Sequence, residues 1–128
     1  MKTTDFIRTL LVFTLCFIAN VTIFAGNPDG KLIYNAEEVD GVKVSETVYK
    51  MNNGLLTNYE KYCYKYNDNK QVTENLMQIW DGDNKCWNNH MCIRYIYTNS
   101  DVTINYYEWN EKKNDFILLP DRTVTMQN

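Results

Sequence analysis

Apolar and polar side chains alternate with a period of two residues along most of the chain after residue 41. In segment 61–66, tyrosines at the even positions alternate with Lys, Cys and Lys, and segments 91–97 and 102–107 alternate in the same way. This period is typical of half-buried β-strands, and the Val, Ile, Thr, Tyr and Trp that fill these segments favour strands. The pattern therefore predicts strands near residues 42–51, 55–66, 71–80, 86–97, 102–109 and 115–119.

Runs of Asn, Asp, Gly, Ser and Lys separate these segments, at residues 52–54, 67–69, 81–84, 99–101 and 112–115. Gly and Asn accept positive φ, and Asn and Asp side chains bind the local backbone, so these runs predict turns. Such short connections join antiparallel neighbours. The predicted fold class is all-β: an antiparallel meander of about five to seven strands, as a single curled sheet or a thin sandwich.

The two ends of this β domain, predicted to span residues 26–128, are less regular. Residues 26–41 are expected to form a turn-rich lead-in, with at most one helical turn at 34–39. Residues 120–128 predict a frayed tail or a last short strand around residues 122–125.

The first 25 residues have a different pattern. Lys2 and Arg8 precede an apolar run at residues 10–19, and Ala25 is a small residue suited to a cleavage site. A run of this length is typical of a signal peptide and is too short to cross a bilayer as a helix. We therefore expect residues 1–25 to be a signal peptide that forms a lone helix in the unprocessed chain. After cleavage the protein would be periplasmic or secreted, without a membrane span; an uncleaved anchor is the alternative.

The amino-acid composition excludes some classes of protein and indicates what kind of core the domain has. The chain has 13 basic and 16 acidic residues, a net charge of −3, and no long run of one sign, which argues against a nucleic-acid surface. Only about a fifth of residues 26–128 are Leu, Ile, Val or Phe, whereas all ten tyrosines and all three tryptophans lie there. We expect a thin domain whose aromatic rings lie half in a core and half in water.

Several segments resemble known families. Tyr-x-Tyr pairs before the turns at 67–69 and 99–101 are similar to the tyrosine–aspartate hairpin repeats of large secreted bacterial shells, although Asn67 and Lys70 replace the Asp and Gly of that repeat. The leader, VYKMNNGLL, KYCYKYNDN, Trp80 and the late Tyr-Tyr-x-Trp at 106–109 resemble a small exported family of gut-dwelling anaerobic bacteria, the domain of unknown function numbered 3836. This second resemblance implies a small antiparallel β domain and an exported location, and it implies no activity.

Three cysteines follow the leader: Cys63, Cys86 and Cys92. An odd number in an oxidising compartment implies one disulfide and one free thiol, or none. The closest pair in sequence predicts a Cys86–Cys92 bridge across a hairpin mouth, with Cys63 free. The alternative is three reduced cysteines that serve as small apolar side chains.

Motifs for metal binding or catalysis are weak. Cys86, His90 and Cys92 lack a fourth zinc ligand, and the turn that begins at Asp81 lacks the later ligands of a calcium loop. His90 itself is expected in a turn, and a Cys–His nucleophile has no supporting motif. Glu60, Glu74 and Glu108 are candidate carboxylates on predicted strands, and nothing in the sequence pairs them for hydrolysis. We expect no metal, no cofactor and no enzymatic activity; a hydrolase is the least favoured alternative.

The surplus of Tyr and Trp is the most informative chemical feature. Rings with an apolar face and a polar edge favour surfaces that stack sugars or grip extended peptides, although they also suit the core of a domain short of aliphatic residues. The predicted function is an exported, non-enzymatic binding or cell-envelope interaction module for a glycan or a peptide. A structural domain that self-associates through its sheet edges is the alternative. The candidate ligand-binding residues are Trp80, Trp87, Trp109, Tyr64, Tyr95 and Tyr107.

Overall fold

The computed structural model describes residues 30–127. Their main elements are eight β-strands and one short 3-10 helix, in one antiparallel sheet. The predicted signal peptide, residues 1–25, and its expected helix lie outside the described residues. The strands are β1 (Leu32–Val39), β2 (Val42–Asn52), β3 (Leu55–Tyr66), β4 (Val72–Asp81), β5 (Cys86–Tyr97), β6 (Asp101–Asn110), β7 (Asp115–Leu118) and β8 (Val124–Gln127); the 3-10 helix is Pro120–Arg122.

The strand order in the sheet follows the chain from β1 to β7. β7 pairs with the end of β6, and β8 then pairs with the beginning of β6, so the two short strands share one edge. The predicted all-β antiparallel meander is therefore confirmed, as a single sheet with eight strands among the described residues, one more than the upper end of the prediction. None of these residues forms a helix long and apolar enough to cross a membrane.

The main error of the sequence prediction is β1. Residues 32–39, expected to be a lead-in with one helical turn, form a strand that pairs with β2. Asp40 and Gly41, both with positive φ, connect Val39 directly to its partner Val42. Asp-Gly is a strong signal for such a two-residue hairpin, because both central residues need positive φ. The last strand, expected around residues 122–125, lies slightly later, at Val124–Gln127.

The sheet has two faces of different composition. Residues directly opposite in register share a face, and side chains alternate along each strand. Tyr62, Met77 and Met91 are opposite one another across β3, β4 and β5, on a face that we call the tyrosine face. The other, which we call the indole face, carries all three tryptophans. Seven of the ten tyrosines follow the tyrosine-face register: Tyr34, Tyr62, Tyr64, Tyr66, Tyr95, Tyr97 and Tyr106.

The core is correspondingly thin. Among the described residues, only Val48 on the tyrosine face and Cys92 on the indole face are fully buried, with 1% and 0% exposure. Most other apolar side chains are half-buried and pack laterally against cross-strand neighbours, which is the unit of stabilisation in a sheet. The expectation that aromatic rings lie partly in water is confirmed, because the single layer leaves both faces open.

Tyrosine hydroxyl groups tie neighbouring strands together on the tyrosine face. The Tyr66 hydroxyl donates to the Lys43 carbonyl at 2.6 Å, and the Tyr97 hydroxyl donates to the Val72 carbonyl at 2.8 Å. These bonds satisfy the polar end of rings whose apolar bodies are half-buried.

Candidate functional site

The β4–β5 hairpin places two tryptophans side by side. Trp80 and Trp87 are opposite in register next to the turn, with ring centroids 5.0 Å apart and ring planes at 63°. This edge-to-face geometry matches the positive edge of one ring to the negative face of the other. It gives the indole face a rigid aromatic pair at one end of the sheet.

The β6–β7 hairpin provides a second aromatic pair on the same face. Trp109 and Phe116 are opposite in register, with centroids 4.9 Å apart and planes at 64°. We call Trp80, Trp87, Trp109 and Phe116 the aromatic cluster. All four side chains are half-buried, so each ring keeps an exposed part.

A depression of about 370 Å³ lies between these two hairpins. Trp87 and Trp109 supply its apolar walls, and the remaining lining is polar. Amides donate and accept hydrogen bonds and a carboxylate accepts them, so the polar groups offer both functions to a ligand. The polar lining residues are Asn88, Asn89, Glu111 and Asn114, of which Asn88 is opposite Ile79 and follows the tyrosine-face register.

Local hydrogen bonds hold this polar lining in place. Gln78 Nε2 donates to Asn89 Oδ1 at 3.0 Å, and Asn88 Nδ2 donates to Asp81 Oδ2 at 3.3 Å. The Asp81 carboxylate also accepts the backbone N–H of Asp83 and of Asn84, and its hydrogen bonds with Asn84 lower the pKa of this carboxyl. The 81–84 segment is therefore a turn, as predicted, that orders the hairpin carrying Trp80 and Trp87.

The structure divides the six predicted ligand-binding residues between the two faces. Trp80, Trp87, Trp109 and Tyr107 lie on the indole face, and Tyr64 and Tyr95 lie on the tyrosine face. One ligand on one face therefore cannot contact all six. Tyr107 is also covered, because the Arg94 guanidinium lies 4.6 Å from its ring centroid. The sequence prediction did not include Phe116, Asn89, Glu111 and Asn114, which only the hairpin register brings to the tryptophans.

An ion-pair network crosses the middle of the indole face. Lys65 Nζ lies 2.8 Å from Glu74 Oε1, and Arg94 Nε lies 3.2 Å from Glu74 Oε2. The hydrogen bond from Lys65, followed by that from Arg94, lowers the pKa of Glu74 despite partial burial. Glu74 is thus an ionised structural partner of two cations.

The three candidate carboxylates for hydrolysis do not converge. Glu74 lies on the indole face, whereas Glu60 lies on the tyrosine face and accepts a hydrogen bond from the Tyr62 hydroxyl at 2.8 Å. Glu108 also follows the tyrosine-face register but belongs to β6, three strands away from Glu60 in β3.

The predicted Cys86–Cys92 bridge is wrong. Both residues belong to β5, and six residues of extended strand separate their Cα atoms by about 20 Å, whereas a disulfide needs less than about 7 Å. Cys63, Cys86 and Cys92 are all free thiols, and burial raises the pKa of Cys92. His90 lies in β5, at an irregularity of the β4–β5 register, and not in the expected turn. In the part of the chain that the structure covers, no three His, Cys, Asp or Glu side chains are grouped to hold a metal.

Comparisons with known proteins give one consistent result. A sequence profile described as "Family of unknown function (DUF3836)" matches residues 1–127. A crystal structure of a DUF3836 family protein from Bacteroides vulgatus shares 55% identity and a TM-score of 0.71, covering 74% of this chain and 97% of that chain. No curated protein matches the chain.

Two further crystal structures extend the fold to more distant sequences. A DUF3836 family protein from Parabacteroides distasonis has 30% identity and a TM-score of 0.64, over 77% of this chain and 89% of its own. A protein of unknown function from Bacteroides fragilis has 24% identity and a TM-score of 0.64, over 70% and 66% of the two chains, which shows similarity of fold alone.

Proposed function

We propose a function for this chain, which belongs to the DUF3836 family of unknown function, from its indole face: it is an exported, non-enzymatic module that binds a glycan. The observation that carries the proposal is that Trp87 and Trp109, from two different hairpins, line one depression together with amide and carboxylate groups. Such a combination of a few placed polar groups and aromatic walls is typical of small-ligand sites.

The chemistry of a sugar ring fits this lining. A sugar presents an apolar C–H face and a rim of hydroxyl groups, which act as both donors and acceptors. The rings of Trp87 and Trp109 offer apolar surface to the C–H face of the sugar. The side chains of Asn89, Asn114 and Glu111 offer hydrogen-bond partners to its hydroxyl groups. The rigid pairing of each tryptophan with a second ring reduces the entropy lost on binding.

A glycan fits this position better than an extended peptide does. An extended peptide gains affinity by adding a strand to a sheet edge, where backbone groups are free. The depression instead opens on a face between two hairpins, where the backbone groups of Trp87 and Trp109 already belong to paired strands. Peptide binding is therefore the competing outcome of the test.

The non-enzymatic part of the proposal draws on the placement of reactive side chains. Glu60, Glu74 and Glu108 are divided between two faces, and Glu74 is engaged by two cations. The exported location rests on the apolar run and small residue of the first 25 residues.

The test is binding to glycan and peptide arrays, followed by titration of the best ligand with intrinsic tryptophan fluorescence as the signal. Trp87→Ala and Trp109→Ala should each weaken glycan binding by about tenfold or more, since each removes one wall. The matched control is Tyr34→Ala, which removes an exposed ring, at 53% exposure, from the opposite face and should leave binding unchanged. Absence of glycan binding, or equal loss in all three variants, would contradict the proposal.

The second candidate, self-association through sheet edges, draws on β1. Among the described residues β1 pairs only with β2, and its first half, Leu32–Ala36, carries no charge. Its second half contains Glu37, Glu38 and a register irregularity. Charged side chains and bulges in an edge strand disfavour pairing with a strand of another chain. Light scattering across a concentration range tests this alternative, because a strict monomer would exclude it.

A further inference from the structure

The tyrosine face has no second layer among the described residues. Stable domains cover the apolar face of a sheet with another sheet or with helices. Here the strand contacts are those of a single meander, so nothing in residues 30–127 packs over this face.

We propose that the tyrosine face packs against the same face of a second copy of this chain, forming a two-layer sandwich. The proposal is independent of the glycan site, which lies on the opposite face.

The middle of the tyrosine face has the composition of an interface core. Tyr62, Met77 and Met91 form one row across β3–β5. The next row contains Tyr64, Asn75, Ile93 and Tyr106, so it is aromatic and aliphatic except for one amide. Tyr and Met are enriched at interface cores, and Met adapts its shape to a partner surface.

Charged groups on this face lie mainly around its middle, where Lys50 is opposite Leu32 at one end of β2 and Lys43 is opposite Glu38 at the other. Glu46 is bound by Lys43 at 3.2 Å, and Glu60 accepts the Tyr62 hydroxyl. Glu108 is exposed and lies in β6, next to the edge strands. Across β3–β5, the rows that contain Tyr62 and Tyr64 carry no charged side chain and one polar one, Asn75, so a second layer over these rows desolvates no charge within them.

The dimensions of the face fit a second sheet. β1 to β6 have 8 to 12 residues each, and β7 and β8 together form a seventh row beside β6. At about 4.8 Å between strands and 3.3 Å per residue, these rows give a face of roughly 30 by 33 Å, or about 1,000 Å². A standard interface buries about 800 Å² on each partner. A single helix, about 10 Å wide, would cover only about a third of this face. A second copy supplies a layer of matching size, and a two-fold axis makes the contact self-complementary.

The experiment compares two isoleucines of the same strand, in the protein purified as an exporting host processes it. Ile93→Lys places a charge in the tyrosine face, whereas Ile96→Lys places it on the indole face, where Ile96 is 53% exposed. Sedimentation velocity over a range of concentrations measures the dimer dissociation constant. We expect a wild-type dimer, an increase of about tenfold or more in that constant for Ile93→Lys, and little change for Ile96→Lys.

Circular dichroism verifies that both variants fold. Small-angle X-ray scattering of the wild type measures the shape of the dimer and needs no variant. A sandwich dimer scatters as a compact particle, whereas an edge-to-edge dimer scatters as an elongated sheet. A monomer at every concentration, an elongated dimer, or equal weakening by the two variants would overturn the proposal. A monomer that mass spectrometry shows to retain residues 1–25 would also overturn it, in favour of the leader as the occupant of this face.

Discussion

Asn75 is the residue whose chemistry fits its position least well. It lies on the tyrosine face between Tyr64 and Ile93, and its Oδ1 atom is buried without a hydrogen-bond partner. A buried acceptor that loses its water partner without replacement costs about 1–3 kcal/mol. Asn75→Leu should therefore raise the free energy of unfolding by about 1 kcal/mol, measured by urea denaturation.

Gln78 provides the matched control for Asn75, because it is an amide of the same strand on the other face. Its Nε2 donates to Asn89 Oδ1, so Gln78→Leu should lower stability where Asn75→Leu raises it. A loss of stability in both variants would show that the Asn75 amide is satisfied in solution.

Glu74 makes stability depend on pH. Lys65 and then Arg94 hold the pKa of Glu74 below its ordinary value of 4.5 in the folded protein. Because the folded pKa is lower than the unfolded one, the contribution is fully present above pH 4.5 and is lost as the pH falls through the folded pKa. Glu74→Gln should therefore destabilise the protein at neutral pH, and the difference from wild type should shrink on acidification.

Thermal unfolding at a series of pH values measures this difference for Glu74→Gln. Lys65→Met removes the larger cause of the shift, so its acid dependence should be weaker than that of wild type. A difference between wild type and Glu74→Gln that stays constant down to strongly acidic pH would contradict the assignment.

At the residue scale, the sequence predicted what depends on local chemistry. The turn at 81–84 was correct, because Asp81 needs only its neighbours to cap the backbone. The Cys86–Cys92 bridge was wrong, because sequence spacing does not say whether two residues face each other or lie along one strand. Tyr64 and Tyr95 were grouped with the tryptophans because a face is known only from register, and register irregularities in β3–β4 and β4–β5 change the parity between strands.

At the element scale, the hairpins depend on positive φ at their turns. Asn53 and Gly54 have φ of 48° and 76° and connect β2 to β3. A side chain at Gly54 would meet nothing within 4 Å, so the cost of Gly54→Ala is the backbone strain alone, about 1 kcal/mol. We expect a decrease of that size in the free energy of unfolding, measured by chemical denaturation.

Gly82 separates backbone strain from the general effect of replacing glycine. It lies in the β4–β5 turn without positive φ, and its nearest neighbour is Trp80 Nε1 at 4.0 Å. Gly82→Ala should be neutral or slightly stabilising, because it restricts the unfolded chain without strain. Equal destabilisation by the two substitutions would show that something other than φ is limiting.

The strand elements could be predicted wherever alternation is long, as in β3 and β5, whose predicted bounds 55–66 and 86–97 match the structure. β1 was missed because Leu32–Val39 contains one short apolar group followed by two consecutive glutamates, which hides the period. Its backbone pairing with β2 makes this segment a strand, although its own sequence does not indicate one.

At the scale of the whole molecule, the scarcity of aliphatic side chains correctly indicated a thin fold. A domain with few Leu, Ile, Val and Phe relies on long amphipathic rings packed sideways, and the structure buries only Val48 and Cys92 completely among the described residues. Alternation could not decide between a single sheet and a sandwich. In both arrangements, one face of each strand is more apolar than the other. The choice depends on contacts between distant strands, which leave no local pattern.

The strand order, which repeats the order of the chain from β1 to β7, has a mechanical consequence. Each strand is held mainly by the strands next to it in sequence, so stability is a sum of neighbouring links, as in repeat proteins. Tension applied at either end would therefore detach the strands from the sheet one at a time. Refolding would then start from whichever hairpin remained folded.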